Sequence, residues 1–147
     1  MKSMLFAFMF LASSLFACEQ NDVKPEDVPA AVRQTLLNVF PNTSNLEWEK
    51  KGENYEAEFD VATVEHTALL DAKGSLLQHK YDITEAELPE AVKAAISQQY
   101  ADYILDDADV LVKGTTSFYQ VELEKGMQEE KLVFAADGSQ SQEAYWD

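Results

Sequence analysis

The chain is written twice. Val28-Pro29-Ala30-Ala31-Val32-Arg33 returns as Leu88-Pro89-Glu90-Ala91-Val92-Lys93, and Phe40 at the end of the first stretch is answered by Tyr100. Farther on, Lys51-Gly52 matches Lys113-Gly114, Tyr55-Glu56-Ala57-Glu58-Phe59 matches Tyr119-Gln120-Val121-Glu122-Leu123, and Gly74-Ser75 matches Gly138-Ser139. The offset grows from 60 to 64 residues, so insertions fall between elements. Self-similarity of this kind limits the fold to one supersecondary unit used twice, over 27–83 and 84–147.

Each unit opens with a helical pattern whose proline sits in the first turn, where a missing N–H costs nothing. Val28, Ala31, Val32, Thr35, Leu36 and Val39 keep the spacing of one buried helix face, and Leu88, Ala91, Val92, Ala95 and Ile96 repeat it. Thr84-Glu85-Ala86-Glu87 has capping-box spacing and places the second helix start near residue 84. Pro41 closes the first helix, while Ala101 at the matching place leaves the second unmarked. The period then drops to two: Asn54-Tyr55-Glu56-Ala57-Glu58-Phe59-Asp60-Val61 alternates apolar with polar, as a strand with one wet face does. Asp71-Ala72-Lys73-Gly74 and Ala135-Ala136-Asp137-Gly138 supply turns. The expected strands are 45–50, 53–61, 64–71, 75–82, 108–113, 117–124, 128–135 and 140–146. The fold class is therefore α+β: two tandem repeats of one helix plus about four antiparallel strands, with the helices on one face of the sheet.

These marks resemble the PepSY-like proteins related in fold to β-lactamase inhibitor protein, which are small exported bacterial proteins of two helix-plus-sheet repeats. The resemblance rests on the Val-Pro-Ala-Ala-Val helix opening, Phe40-Pro41, the alternation from Tyr55 to Phe59 and the Asp71-Ala72-Lys73-Gly74 turn with its repeat, and it covers 27–147. It implies binding or inhibition of another exported protein through the open sheet face, and it carries over no inhibitory residue.

Ahead of the repeats, Lys2 and an apolar run from Met4 to Phe16 have the layout of a secretory signal, too short to span a bilayer. Leu15-Phe16-Ala17-Cys18 resembles a bacterial lipobox, in which the cysteine is lipidated and becomes the first mature residue. Cys18 is the single cysteine, and an unlipidated exported thiol would have no disulfide partner. The expected layout is a signal peptide over 1–17, a lipidated tether over 18–26 and a PepSY-like domain over 27–147. That places the protein outside the cytoplasm, on the periplasmic side or cell surface of a bacterial envelope, with the outer membrane favoured. The polar tether bounds the reach to roughly 30 Å, at about 3.5 Å per residue.

The formal net charge of −16 repels phosphate backbones and anionic lipid heads, which excludes nucleic acid as a partner and leaves the lipid anchor as the only membrane contact. The expected partner is an exported or envelope protein, basic where it is charged. Alternation names the surface that would meet it: Glu47, Glu49, Glu56, Glu58 and Asp60, with Glu122 and Glu124 in the second repeat, all opposite the core positions. The plainer reading of the same residues is a solvated strand face that keeps the sheet soluble.

The rival reading is a small accessory metal-binding protein or enzyme using His66, His79 and nearby carboxylates. A two-residue turn at Ala72-Lys73 opposes the two histidines on one face, whereas a three-residue turn with a glycine bulge puts them on opposite faces. The Asp-x-x-Gly chemistry favours the second geometry. A metal needs three or four ligands, and no cysteine is left to help. Asp102, Asp106, Asp107 and Asp109 lack the spacing of a calcium loop and read as a loop between helix and strand. No nucleophile-base arrangement is visible, so the reading is of a non-catalytic module with no cofactor.

Overall fold

A computed structural model describes residues 21–147, so the signal segment and Cys18 lie outside the described residues. Each repeat starts with a 3-10 turn, Pro25–Asp27 or Glu85–Glu87, followed two residues later by a proline and then a ten-residue helix, α1 (Ala30–Val39) or α2 (Glu90–Gln99). The Thr84 box therefore caps the 3-10 turn, with the Thr84 N–H and hydroxyl both donating to Glu87 at 2.8 Å, and the second α-helix begins at Glu90 rather than near 84. Leu88-Pro89 forces this delay, because a residue before proline is pushed out of helical geometry. The second helix ends at Gln99 without a proline.

Seven strands follow in chain order: β1 (Thr43–Lys51), β2 (Asn54–Val61), β3 (Val64–Leu70), β4 (Leu76–Asp82), β5 (Ile104–Lys113), β6 (Thr116–Lys125) and β7 (Gln128–Ala135). They pair antiparallel with their neighbours in a single sheet, so β4 and β5 join the repeats into one surface. Ladder partners share a face. Trp48, Ala57 and Ala68 are in register on one side, where Val28, Val32 and Leu36 pack with them. The ladder continues through His79 to Val112, on the same side as Val110 and Ala108, and there Leu88 and Val92 pack with Ala108, Val121, Leu123, Leu132 and Phe134. Both helices thus cover one face. Val39 is about half exposed and Ala31 and Ala91 are exposed, so the buried stripe is narrower than the sequence spacing predicts.

One contact explains why alanine and glycine recur together. A Cβ on Gly74 would stand 2.8 Å from the Ala31 carbonyl oxygen, and one on Gly138 would stand 2.4 Å from that of Ala91. At φ of +89° and +83°, these turns press their bare backbone onto the first turn of each helix.

Four further expectations need correction. The eighth strand, 140–146, does not form: after a single bridge from Gln140 to Phe134 and a hydrogen bond from the Ser141 N–H to the Val133 carbonyl, the chain leaves the edge. Its positions equivalent to Leu77 and His79 are Ser141 and Glu143, which gain nothing from lying on the helix side. Of the acidic run only Asp102 lies in the loop between helix and strand, since Asp106, Asp107 and Asp109 belong to β5, whose register shifts between Leu105 and Asp107. His66 and His79 share a face: His66 faces Tyr81 and Ala68 faces His79, because an irregularity between Leu69 and Leu70 adds a further offset to the turn. At the other edge, Val23 and Lys50 donate backbone hydrogen bonds to Trp48 and Asn21, so the segment read as a free tether is bonded to β1.

Candidate functional site

The face away from the helices is polar, as alternation requires, but it is not open throughout. Glu56, Thr67, Asp109 and Gln120 are all buried on it, together with Leu111 and Val133. The chain after Ser141 lies over them. The Gln120 side-chain amide clasps the backbone of Trp146 from both sides, its Nε2 donating to the carbonyl at 3.1 Å and its Oε1 accepting from the N–H at 2.9 Å. The Trp146 indole N–H donates to Glu56 at 3.1 Å. β2 and β6 stand four strand spacings apart, about 19 Å, a gap that Trp146 spans together with the long side chains of Glu56 and Gln120. Beneath the indole, Lys80 lies 3.6 Å from the Asp109 carboxylate, which also receives Gln120 Nε2 at 3.3 Å.

The sequence-predicted acids fall into two groups. Glu47 faces Glu58 and Glu49 faces Glu56 across the β1–β2 ladder, while Asp60 faces Glu65 across β2–β3. Lys51 neutralises part of this patch, at 2.6 Å from Glu49 and 3.2 Å from Glu56, and the Asn45 amide donates to Asp60 at 2.6 Å. Among the described residues, Glu47, Glu58 and Glu65 have no basic partner within 4.0 Å. Loss of water and the surrounding carboxylates of Glu49, Glu56, Glu65 and Glu47 hold the Glu58 carboxyl above its ordinary range. Glu56 differs from the rest, being buried beneath Trp146. Glu122 and Glu124 sit on β6, four strands away, where their carboxylates approach Asp106 to within 4.8 Å. Partial burial and the Glu129 carboxylate push Glu122 up, against the pull of Lys131.

Sequence reasoning missed Glu65, Asp82 and Asp109. Asp82 faces Asp109 across β4–β5, and loss of water together with the Asp109 charge pushes it up to about 6. The signal for Asp109 lay in the β4–β5 pairing, which a repeat-by-repeat reading does not supply.

The histidines lie on the opposite side of the sheet. His66 stacks between Phe59 and Tyr81, both with ring centroids at 5.4 Å, and His79 meets the edge of Phe40 at 5.2 Å. Burial lowers the pKa of both, and the charge of His79 lowers His66 further. Neutral rings in an aromatic bed pack as hydrophobes, and the carboxylates proposed to join them as ligands point the other way. Among the described residues, no helix is long and apolar enough to cross a membrane.

The same architecture occurs in solved structures of Bacteroides proteins. A BLIP-like protein of Bacteroides fragilis is 26% identical over 79% of this chain and 85% of its own, with a TM-score of 0.69. A DUF2874-family protein of Bacteroides uniformis is 20% identical over 76% and 85%, with a TM-score of 0.71. A Bacteroides eggerthii structure described as "putative periplasmic proteins" is 18% identical over 77% and 85%, with a TM-score of 0.72. No curated protein matches the chain. The family model described as "Putative beta-lactamase-inhibitor-like, PepSY-like" matches twice in succession, over 14–78 and 71–140. The duplicated unit first visible as Val-Pro-Ala-Ala-Val and its echo is thus the family's own, and the chain belongs to the PepSY-like, beta-lactamase-inhibitor-like family.

Proposed function

We propose that the protein is a non-catalytic, exported binding module that holds a basic segment of an envelope protein against the acidic quarter of its polar face. The observation that carries this reading is the patch of Glu47, Glu58 and Glu65, three carboxylates on β1–β3 with no basic partner among the described residues, beside Glu49 and Asp60. Concentrating like charge on a folded surface costs stability, and a cationic partner repays that cost. Glu122 and Glu124 form a second, smaller acidic site, partly answered by Lys131 at 3.8 Å from Glu122.

Lipidation at Cys18 would hold this face close to a membrane. Because Asn21 and Val23 are bonded to β1, only Glu19 and Gln20 separate the anchor from the sheet, three Cα steps with a reach of about 10 Å. The partner then meets the domain near the bilayer. Attraction between exposed charges is screened over about 8–10 Å at physiological salt, so binding weakens as salt rises.

A photo-cross-linking residue at position 63, in the exposed β2–β3 turn two residues from Glu65, tests this in cells carrying the full chain. One predominant envelope partner should be captured, and the triple variant Glu47→Lys, Glu58→Lys, Glu65→Lys should abolish the product while leaving the fold intact. Capture that ignores the triple reversal would refute the reading. Cys18→Ser tests the anchor separately: the variant should leave the membrane fraction.

A further inference from the structure

The segment Gln140–Asp147 is held the way a peptide ligand is held. Its backbone is clasped at Trp146 by the Gln120 amide, its indole is fixed by Glu56, Lys80 lies 6.0 Å from that ring, and Lys131 pairs with Asp147 and lies 5.2 Å from the Tyr145 ring. Lys113 pairs with Glu143 near its start. The surface beneath it is equally telling. On the helix side the buried sheet residues include Trp48, Phe59, Leu70 and Phe134, whereas on the face the tail crosses the polar Glu56, Asp109 and Gln120 lie buried beside Leu111 and Val133. The three polar groups are ones that water can take up again when the cover lifts, so uncovering this face costs less than opening the helix side.

Charge points the same way. Glu143 and Asp147 are each met by a lysine, Lys113 and Lys131, yet the face they cross carries a net excess of acid, with Glu58, Glu65, Asp107 and Glu122 on the same side of the sheet. An extended segment with an aromatic residue flanked by arginine or lysine would keep the aromatic contact and the backbone clasp, release Lys131 to Glu122 and Glu129, and lower that excess of negative charge. We propose that Gln140–Asp147 occupies in cis the docking site of a basic, aromatic extended segment of the partner, which binds by displacing it. This rests on the acidic-face reading above and adds to it the occupant and the gate.

The test uses the protein with 5-fluorotryptophan at its two tryptophans, Trp48 and Trp146, and a synthetic peptide of alternating arginine and tryptophan as probe. At low salt the peptide should move the Trp146 fluorine resonance toward its solvent-exposed position and leave that of Trp48, buried under α1, unchanged. Trp146→Ala, which removes the indole's contacts with Glu56 and Lys80 and so weakens the tail's hold, should bind the same peptide about tenfold more tightly. If the peptide binds while Trp146 stays put and Trp146→Ala gains no affinity, the gate is refuted and the acidic face stands. If the peptide binds neither protein, the acidic-face reading falls with it. A peptide of residues 140–147 binding Trp146→Ala more tightly than the basic probe would make a second copy's tail the occupant and overturn the proposed partner chemistry. Should Trp146→Ala fail to fold, the fluorine titration of the unaltered protein decides alone.

Discussion

Replacing Gly138 by alanine tests how the helices are seated. Two costs are separable there. The first is conformational: an L-residue in the left-handed region loses roughly 1–2 kcal/mol relative to glycine. The second is steric. The new Cβ would lie 2.4 Å from the carbonyl oxygen and 2.8 Å from the carbonyl carbon of Ala91, both backbone atoms in the first turn of α2. Neither can swing aside as a side chain can, so the turn and the helix must move apart, at about 1–3 kcal/mol for an overpacked site. Together these give about 2–5 kcal/mol, a large share of the roughly 5–15 kcal/mol that holds a domain folded. Gly126 is the internal control, since its φ is +64° and a Cβ there meets nothing within 4 Å. Gly126→Ala should therefore pay the conformational cost alone, and the unfolded-state entropy gain of about 0.4–1 kcal/mol cancels between the two variants. Gly74→Ala, with its closest contact at 2.8 Å, should fall between them. Urea unfolding followed by circular dichroism reads the difference as a midpoint shift at constant slope. Ala91→Gly in the Gly138→Ala background should not restore stability, because the obstacle is the carbonyl rather than the Ala91 Cβ at 3.3 Å. Equal losses at Gly138 and Gly126, or rescue by Ala91→Gly, would refute the idea that backbone contact seats the helix.

The remaining predictions concern pH and the core. Asp82, pushed up to about 6, binds a proton more tightly folded than unfolded, so its share of stability rises as pH falls from about 6 to 4. His66 and His79 have lowered values, so theirs is present above the unfolded value near 6.5 and is lost on acidification. Asp82→Asn should stabilise the protein at pH 7, by less than about 1 kcal/mol since the group is solvent-screened, and make its acid decline steeper. His66→Phe with His79→Phe should reverse the trend, so that stability climbs from pH 7 to 4; denaturation series at fixed pH values distinguish the two. Leu36→Ala, fully buried beneath the first helix, should cost about 2–5 kcal/mol, and Val92→Ala about 1.5–3 kcal/mol beneath the second. Because the two residues belong to separate clusters, the double variant should equal the sum within about 0.5 kcal/mol by denaturant titration.

Most of the strand pattern was legible because it is local. The alternation from Tyr55 to Phe59 and the turn glycines act over a few residues, and a strand such as β7, Gln128–Ala135, falls where its sequence pattern puts it. The errors arose where geometry depends on partners far along the chain. His66 and His79 share a face because of an offset at Leu69/Leu70, a property of the β3–β4 ladder that no single strand encodes. Asp109 reads as one more acid in a run, yet it is almost fully buried because β4 brings Lys80 to it and the tail closes over both. Glu56 has the same place in the alternation as its neighbours Glu58 and Asp60, and it differs because Lys51 pairs with it and Trp146, ninety residues on, lands upon it. The repeat itself misled at 140–146, where family symmetry predicted a strand and the replacement of Leu77 and His79 by Ser141 and Glu143 spoke against one.

That failure of symmetry gives the fold its two unlike faces. In the first repeat the segment after the glycine turn becomes β4, which gains a neighbour on each side, β3 and β5. The equivalent segment of the second repeat has only β7 to pair with, because the sheet ends there. An edge strand bearing Ser141 and Glu143 toward the helix side would bury nothing, so the chain does better crossing the polar face, where Tyr145 and Trp146 find cover. There it roofs the Lys80–Asp109 pair. A buried ion pair adds little net stability, but removing one partner leaves a charge stranded in a dry site. Lifting the tail has the opposite effect, because it returns both charges to water together. The polar floor is thus stable with its cover in place and tolerant of losing it, which is what a face must be if a partner is to take the tail's place.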